Sequence, residues 1–225
     1  MKSSRKKYKR STIHYSETDG LILGFTETNS EIEDVKEFFD AEKVLQLEQV
    51  HGNKILFSDE IIGFPDGDGI ILKEKNVIAA IRTADCTPLF FWLPDETTAG
   101  VIHIGWRGLH SKIGENLLNI LRQKGTDTFD LRFFTGPAIE GKCYTVQKDV
   151  VDLFKDSNFS QKIFEKTQAG YLMDVTKGIE LCLTGNGIPE KNITHSGICT
   201  FCNKNFPSYR RGDRENRIFN FIFLR

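Results

Sequence analysis

Apolar and polar positions along this chain repeat with two different periods. In EIEDVKEFFDAEK, Ile32, Val35 and Phe38 recur at helical spacing and predict an early helix, whereas KVLQLEQVHGNKILF alternates as a strand does. The segment NVIAAIRTADCTPLFFWL reads as an apolar strand interrupted by the polar TADCT, then by a proline, Pro88, that rules out regular central pairing at that point. TTAGVIHIGW reads as a second buried strand. In RGLHSKIGENLLNILRQKG the residues Leu109, Ile113, Leu117 and Leu121 fall four apart, which predicts one helix with an apolar stripe. A strand follows in LRFFTGPAI, then a helix over 146–154 and another over 174–183, with Asp174 as N-cap and Gly185 as terminator. ITHSGICTF and RIFNFIFL are the closing strands. Helices interspersed among strands, with no internal repeat, low-complexity tract or linker, predict a single layered α+β or α/β domain.

Size and composition agree with that picture. A chain of 225 residues with 39% hydrophobic content and 18 Phe has ample material for a core. Thirty basic residues against 31 acidic ones leave a net charge of −1, so no overall field recommends nucleic acid or an anionic membrane as a partner, and a small molecule is the expected one. The opening MKSSRKKYKR is basic but lacks the apolar core of a signal peptide, and residues 1–12 read as a disordered, solvated arm ahead of a domain over 13–225. No stretch approaches the ~20 apolar residues that cross a bilayer. Five cysteines, an odd number unevenly spaced, do not form a disulfide framework, and a reducing cytoplasm is the expected location.

Chemistry is concentrated in a few polar turns. His51 in QVHGN, Cys86 in TADCTP and His103 in VIHIGWRG each stand at a strand end or beside a glycine. Two imidazoles and a thiolate suit zinc, and three protein ligands leave a fourth position for water or substrate. The competing reading is structural, because buried His and Cys are usually packing residues. Cys199 and Cys202 in CTFC have the spacing of half a zinc site, yet no second such pair completes a four-cysteine cluster, so a plain pair of thiols is expected. Cys143 and Cys182 are expected in the core, and His14, His110 and His195 belong to no motif. SYRRGDRENR gathers Arg210, Arg211, Arg214 and Arg217, while Arg107 follows Trp106 close to His103. Guanidinium forks suit phosphate, and Arg214 is read as part of a solvated turn.

The motifs QVHGN, DGDGI, RTADCTP, HIGWRG, GPAI followed by CYTV, and CT followed by SYRR occur in an order, over roughly residues 46–217, that resembles the YfiH family of laccase-domain proteins. The resemblance implies a four-layer α/β/β/α protein with mixed sheets. It also implies zinc held by His51, Cys86 and His103, which coincides with the triple read from the residues. Two departures stand out: Ile104 is bulkier than the alanine common after the first histidine of HIGW, and Glu215-Asn216-Arg217 replaces a Thr-Gly-Arg turn. The first is expected to reshape the pocket floor, the second to disturb the turn presenting Arg217.

Similar proteins are described as purine nucleoside phosphorylases with adenosine deaminase activity, and as copper polyphenol oxidases. Five histidines in all are too few for a multinuclear copper cluster, although a single copper at the site is possible. Activation of water at C6 of adenine, by contrast, needs one open metal position and a carboxylate. Asp85, next to Cys86, is the candidate, either as proton carrier or as a residue that orients a ligand. Phosphorolysis of adenosine, inosine or methylthioadenosine needs an anion clamp, for which Arg107 and Arg210 are the candidates and Arg217 a further substrate contact. An amidase acting on peptidoglycan precursors, with Cys86 as nucleophile and His103 as base, is the alternative of a different class.

Overall fold

The computed structural model describes residues 2–18 and 20–225. Its first strands are β1 (Lys2–Tyr8), β2 (Ser11–Glu17) and β3 (Leu21–Thr26), followed by helix α1 (Ile32–Phe39). Then come β4 (Lys43–Leu45), β5 (Ile55–Phe57), β6 (Gly69–Leu72), β7 (Val77–Thr83), β8 (Thr87–Trp92) and β9 (Ala99–Ile104). Helices α2 (Trp106–His110) and α3 (Ile113–Gln123) precede β10 (Arg132–Thr135) and β11 (Thr145–Val146). The remainder is α4 (Lys148–Leu153), α5 (Ser160–Ile163), β12 (Phe164–Thr167), β13 (Gly170–Met173), α6 (Val175–Gly185), β14 (Ile193–His195) and β15 (Ile218–Leu224).

Two six-stranded mixed sheets carry the fold, in the orders β1-β2-β3-β15-β7-β4 and β14-β10-β8-β9-β6-β5, beside a small sheet β11-β13-β12. Alternation along the strands decides the layers. In β15, Phe221 and Phe223 pack with Ile32, Val35 and Phe38 of α1, while Ile222 and Leu224 meet Phe90 and Val101 from the second sheet. In β9, Val101 faces that inter-sheet core, and Ile102 and Ile104 face Leu109, Leu117 and Ile179 of the helices. The result is α1, first sheet, second sheet, then α2, α3 and α6, which is the expected four-layer α/β/β/α arrangement.

Several local expectations are corrected. The arm expected to be disordered is strand β1, paired residue for residue with β2 from Lys2↔Glu17 to Tyr8↔Ser11; Met1 lies outside the described residues. Backbone pairing needs no apolar side chains, and Arg5 to Glu27 (2.9 Å) and the Tyr8–Phe38 ring contact (5.4 Å) fix its faces. Pro88 sits inside central strand β8, opposite His103. His103 donates its N–H to Asp68 O, away from β8, so the pair exchanges no ladder bond there. The backbone of Pro88 faces instead the point where β10 has ended, and its carbonyl accepts from Gly136 N (3.0 Å). The single helix expected over 107–125 is two, α2 and α3, broken where Lys112 adopts φ +61°. Gly185 is the last residue of α6 rather than its stop; the left-handed turn comes at Gly187. The expected 43–57 strand is the short pieces β4 and β5, which lie in different sheets, with His51 in the loop between them.

Candidate metal centre

The polar interruption TADCT is the place where the chain leaves β7 in the first sheet and enters β8 in the second. This crossing sets Ala84, Asp85 and Cys86 at the rim of the gap between the sheets. Asp85 takes φ +89°, a conformation that costs a non-glycine residue about 1–3 kcal/mol. Three bonds hold it: its carbonyl accepts from Ile139 N (2.9 Å), and its carboxylate accepts from Thr200 Oγ1 and Arg210 N, each at 2.7 Å.

His51 comes from the loop after β4 and is also left-handed, at φ +58°. Gln49 ties that loop to β7: its amide donates to Arg82 O (2.8 Å) and its oxygen accepts from Arg82 N (2.7 Å). A side chain thus continues the edge pairing where β4 has stopped. His103 is the penultimate residue of β9 and, by alternation with Ala99 and Val101, lies on the inter-sheet face.

One fully buried carboxylate, Asp68, organises both histidines. Its Oδ1 accepts from His51 N (3.0 Å) and pairs with His103 Nδ1 (2.8 Å), its Oδ2 accepts from Gly52 N (2.6 Å), and its carbonyl accepts from His103 N (2.7 Å). With Nδ1 held by a carboxylate, Nε2 of His103 is the nitrogen left for a ligand. Ligand atoms of His51, Cys86 and His103 all lie within 4.8 Å of one another, and the two imidazole centres are 4.7 Å apart. Gly105 permits the approach, because a Cβ there would stand 3.0 Å from Cys86 Sγ and 3.3 Å from His51 Nδ1.

Burial alone would push the Cys86 thiol up. The His103 imidazolium and hydrogen bonds from both histidines outweigh it and bring the thiol down to about 6. Burial likewise disfavours the His103 cation, but the Cys86 thiolate and Asp68 raise it to about 9. Asp68 is also held below the usual carboxylate range: burial opposes its charge, and His103 and the amides of Gly52 and His51 more than compensate. A thiolate and two imidazoles backed by a carboxylate and facing an open cleft are a donor set that fits a borderline cation such as zinc.

The cleft in front of the triad has a volume of about 580 Å³, and its walls carry the guanidinium groups of Arg82, Arg107, Arg210 and Arg217. Arg107 lies over the Trp106 ring (4.4 Å) and Arg210 over Tyr144 (4.8 Å). Every candidate named from the sequence, His51, Asp85, Cys86, His103, Arg107, Arg210 and Arg217, reaches this cleft. Of the other arginines in SYRRGDRENR, Arg211 binds the carbonyls of Thr200, Phe201 and Phe206, and exposed Arg214 stacks on Tyr209 at 3.9 Å. The altered 215–217 turn is closed by Arg217 itself, which donates to Arg214 O and Asn216 O. Ile104, expected to reshape the floor, points into the helix-side core. His14, His110 and His195 lie away from the cleft, engaged with Glu27, Phe154 and Thr135.

Asp68, Gln49, Arg82 and Tyr144 are residues of this site that sequence reasoning missed. DGDGI and CYTV are visible motifs, but a carboxylate between glycines reads as a turn until β6 is seen to lie beside β9.

Comparisons with known proteins agree with the architecture. A family model described as "Multi-copper polyphenol oxidoreductase laccase" matches residues 26–225. The Bacillus subtilis protein named "Purine nucleoside phosphorylase YlmD" is 34% identical over 70% of this chain and 59% of its own length, so the matched stretch spans under two thirds of that relative. A purine nucleoside phosphorylase of Rickettsia conorii is 35% identical over 77% of this chain and 73% of its own, and one of Aquifex aeolicus 30% over 84% and 86%. Among solved structures, YfiH of Bacillus licheniformis superposes with a TM-score of 0.86 at 24% identity, covering 98% of this chain and 99% of that one. YlmD of Geobacillus stearothermophilus gives 0.83 at 25% identity, covering 98% of each. A shared layer order, a family match over nearly the whole chain and relatives above 30% identity together mean that this chain belongs to the laccase-domain family that includes YfiH and YlmD.

Proposed function

We propose that this protein is a zinc-dependent purine nucleoside phosphorylase acting on adenosine, inosine and methylthioadenosine. The observation that carries the reading is the convergence of His51, Cys86 and His103 at the floor of a cleft walled by four arginines. The names of the relatives supply the substrate class. When bound, zinc supplies a Lewis acid that polarises water or a substrate oxygen.

The chain's own groups account for the rest. Arg107 and Arg210 hold the attacking phosphate, their faces backed by Trp106 and Tyr144 and their N–H edges making no hydrogen bond among the described residues. The phosphate in turn stabilises the positive charge that develops at the ribosyl carbon as the base departs. Tyr144 is raised to about 12, chiefly by burial and then by the nearby Cys86, so its phenol remains a hydrogen-bond donor at neutral pH. Of the two uses open to Asp85, its bonds to Thr200 and Arg210 favour orientation: it sets the turn that delivers Arg210. Hydrolytic deamination of adenosine is the second activity of this reading: His51, Cys86 and His103 would hold the zinc that activates water for attack at C6 of adenine, a reaction that needs no phosphate. A multinuclear copper oxidase is disfavoured, because the three remaining histidines are engaged elsewhere.

The amidase reading draws support from one observation, the Cys86–His103–Asp68 relay, whose thiolate resembles that of a cysteine hydrolase. His51 beside the same sulfur is a donor such a relay does not need, and it favours the metal reading.

The deciding experiment incubates zinc-loaded protein with each nucleoside, with and without phosphate. Phosphate-dependent release of free base and ribose 1-phosphate, lost on chelation and restored by Zn2+, is expected. No turnover of any nucleoside by fully loaded protein rejects the reading. Amide hydrolysis that survives chelation but not iodoacetamide replaces it with the second.

A further inference from the structure

Three thiols from two distant stretches of the sequence meet outside the cleft. Cys143 closes the single turn Gly141–Cys143, Cys199 follows β14, and Cys202 stands three residues later. Their sulfurs all lie within 4.8 Å of one another, with Cys143 Sγ and Cys202 Sγ 3.5 Å apart. The ligand that CTFC lacks in the sequence is therefore supplied by Cys143, a residue expected in the core and found half-buried beside the pair.

The segments that bear the thiols are fixed by their own backbones. Ala138 bridges Cys199, Thr200 N donates to Ala138 O (3.0 Å), Asn203 N to Cys199 O (2.9 Å) and Cys143 N to Glu140 O (2.8 Å). Two sulfurs on one tetrahedral zinc, each 2.3 Å from the ion, stand about 3.8 Å apart. The 3.5 Å between Cys143 Sγ and Cys202 Sγ is close to that spacing and the third sulfur lies within 4.8 Å of both, whereas a disulfide needs sulfurs about 2.05 Å apart and would leave the third thiol over. Cys202 is exposed, so an ion can enter, and the hollow is bordered by Lys204 and by Lys142, which is paired with Glu140 at 2.6 Å.

We propose that Cys143, Cys199 and Cys202 form a second metal site, separate from the cleft, which takes a thiophilic closed-shell cation, Zn2+ or Cu+, through three thiolates. Each thiol gives its proton to solvent as the ion binds, and no electron is transferred. The ion ties the turn that continues into Tyr144 to the bridged segment after β14 that continues into Thr200, whose hydroxyl supports Asp85. It acts as a brace for one wall of the cleft.

Metal content of the full chain, purified with a reductant and loaded in separate arms with Zn2+ or with Cu+ under anaerobic conditions, tests the site. Wild type should hold about two equivalents, and Cys202→Ser about one. Cys86→Ser, which keeps all three thiols, should retain one ion, and its Co2+ form should show the strong sulfur-to-cobalt charge-transfer absorption of a multi-thiolate site. Tight binding of either cation at the thiols supports the site and identifies its metal. The proposal is overturned if Cys202→Ser holds as much metal as wild type, if Co2+-loaded Cys86→Ser lacks that absorption, or if the reduced preparation carries a Cys143–Cys202 disulfide. Failure of the cleft triad would show separately, as metal content unaffected by Cys86→Ser.

Discussion

The two clusters of soft donors differ in what stands behind them. Behind His51, Cys86 and His103 is the buried carboxylate of Asp68, the ligand His51 and Asp85 beside Cys86 are held in strained left-handed backbone, and arginines face the ligands across a cleft. Cys143, Cys199 and Cys202 are held by backbone hydrogen bonds of their own segments, and they border a shallow hollow lined by Glu140, Lys142 and Lys204. A carboxylate that fixes an imidazole's tautomer and leaves one face open tunes a reacting ion, whereas sulfurs pinned by backbone suit an ion that holds segments together.

The sharpest way to break this contrast is His103→Ala, which removes a ligand and leaves Asp68 buried without its partner. Loss of the cleft ion and a fall in phosphorolysis on the order of 10³-fold or more are expected, beyond the 10–100-fold typical of a lost supporting group. Metal analysis and base release check it, and the thiol cluster should keep its ion. Asp68→Asn sharpens the comparison: zinc affinity at the cleft should drop about 10–100-fold, read by competition with a chromophoric chelator, with no change at the thiols. Arg210→Ala should raise the KM for phosphate about tenfold, the value of one charged hydrogen bond, and affect the phosphate-independent reaction less. Equal losses in both reactions would mean that Arg210 holds the nucleoside instead.

The smallest effect is a pH dependence in the metal-free protein. Cys86 is depressed, so its contribution to stability is full above 9.0 and is lost as the pH falls through about 6. His103 is raised, so its contribution is full below 6.5 and is lost as the pH rises through about 9. The melting temperature should therefore peak between those limits, and iodoacetamide should alkylate Cys86 at half its maximal rate near pH 6. Half-maximal alkylation near 9 would show that the thiolate–imidazolium pair does not form.

Much of this was legible in the sequence, for reasons that also mark where legibility stopped. Strand alternation in RIFNFIFL and VIHIGW, and the apolar stripe of α3, follow from burial on one face or both, which composition records directly. The three donors that meet in the cleft were legible because each stands at a strand end or beside a glycine, and because the ordered motifs around them resemble a known family. TADCT was seen as an interruption, but that its two flanks belong to different sheets depends on long-range pairing. Strand β1 was missed because a mostly exposed edge strand, KSSRKKY, carries no apolar alternation. Asp68 and Cys143 were missed for a common reason: each acquires its role from a neighbour far away in sequence, His103 for the first and Cys199 with Cys202 for the second.

The position of β15 has a consequence for how the molecule is made. Residues 218–224 fill the middle of the first sheet, between β3 and β7, and among the described residues no other strand joins those two. During synthesis, β3 and β7 leave the ribosome long before their shared partner and must wait with open hydrogen-bonding edges. The nascent chain thus passes through a stage in which the second sheet has all its strands while the first still lacks its centre. Chaperone binding during translation should concentrate on the apolar faces of β3 and β7 and end when β15 emerges.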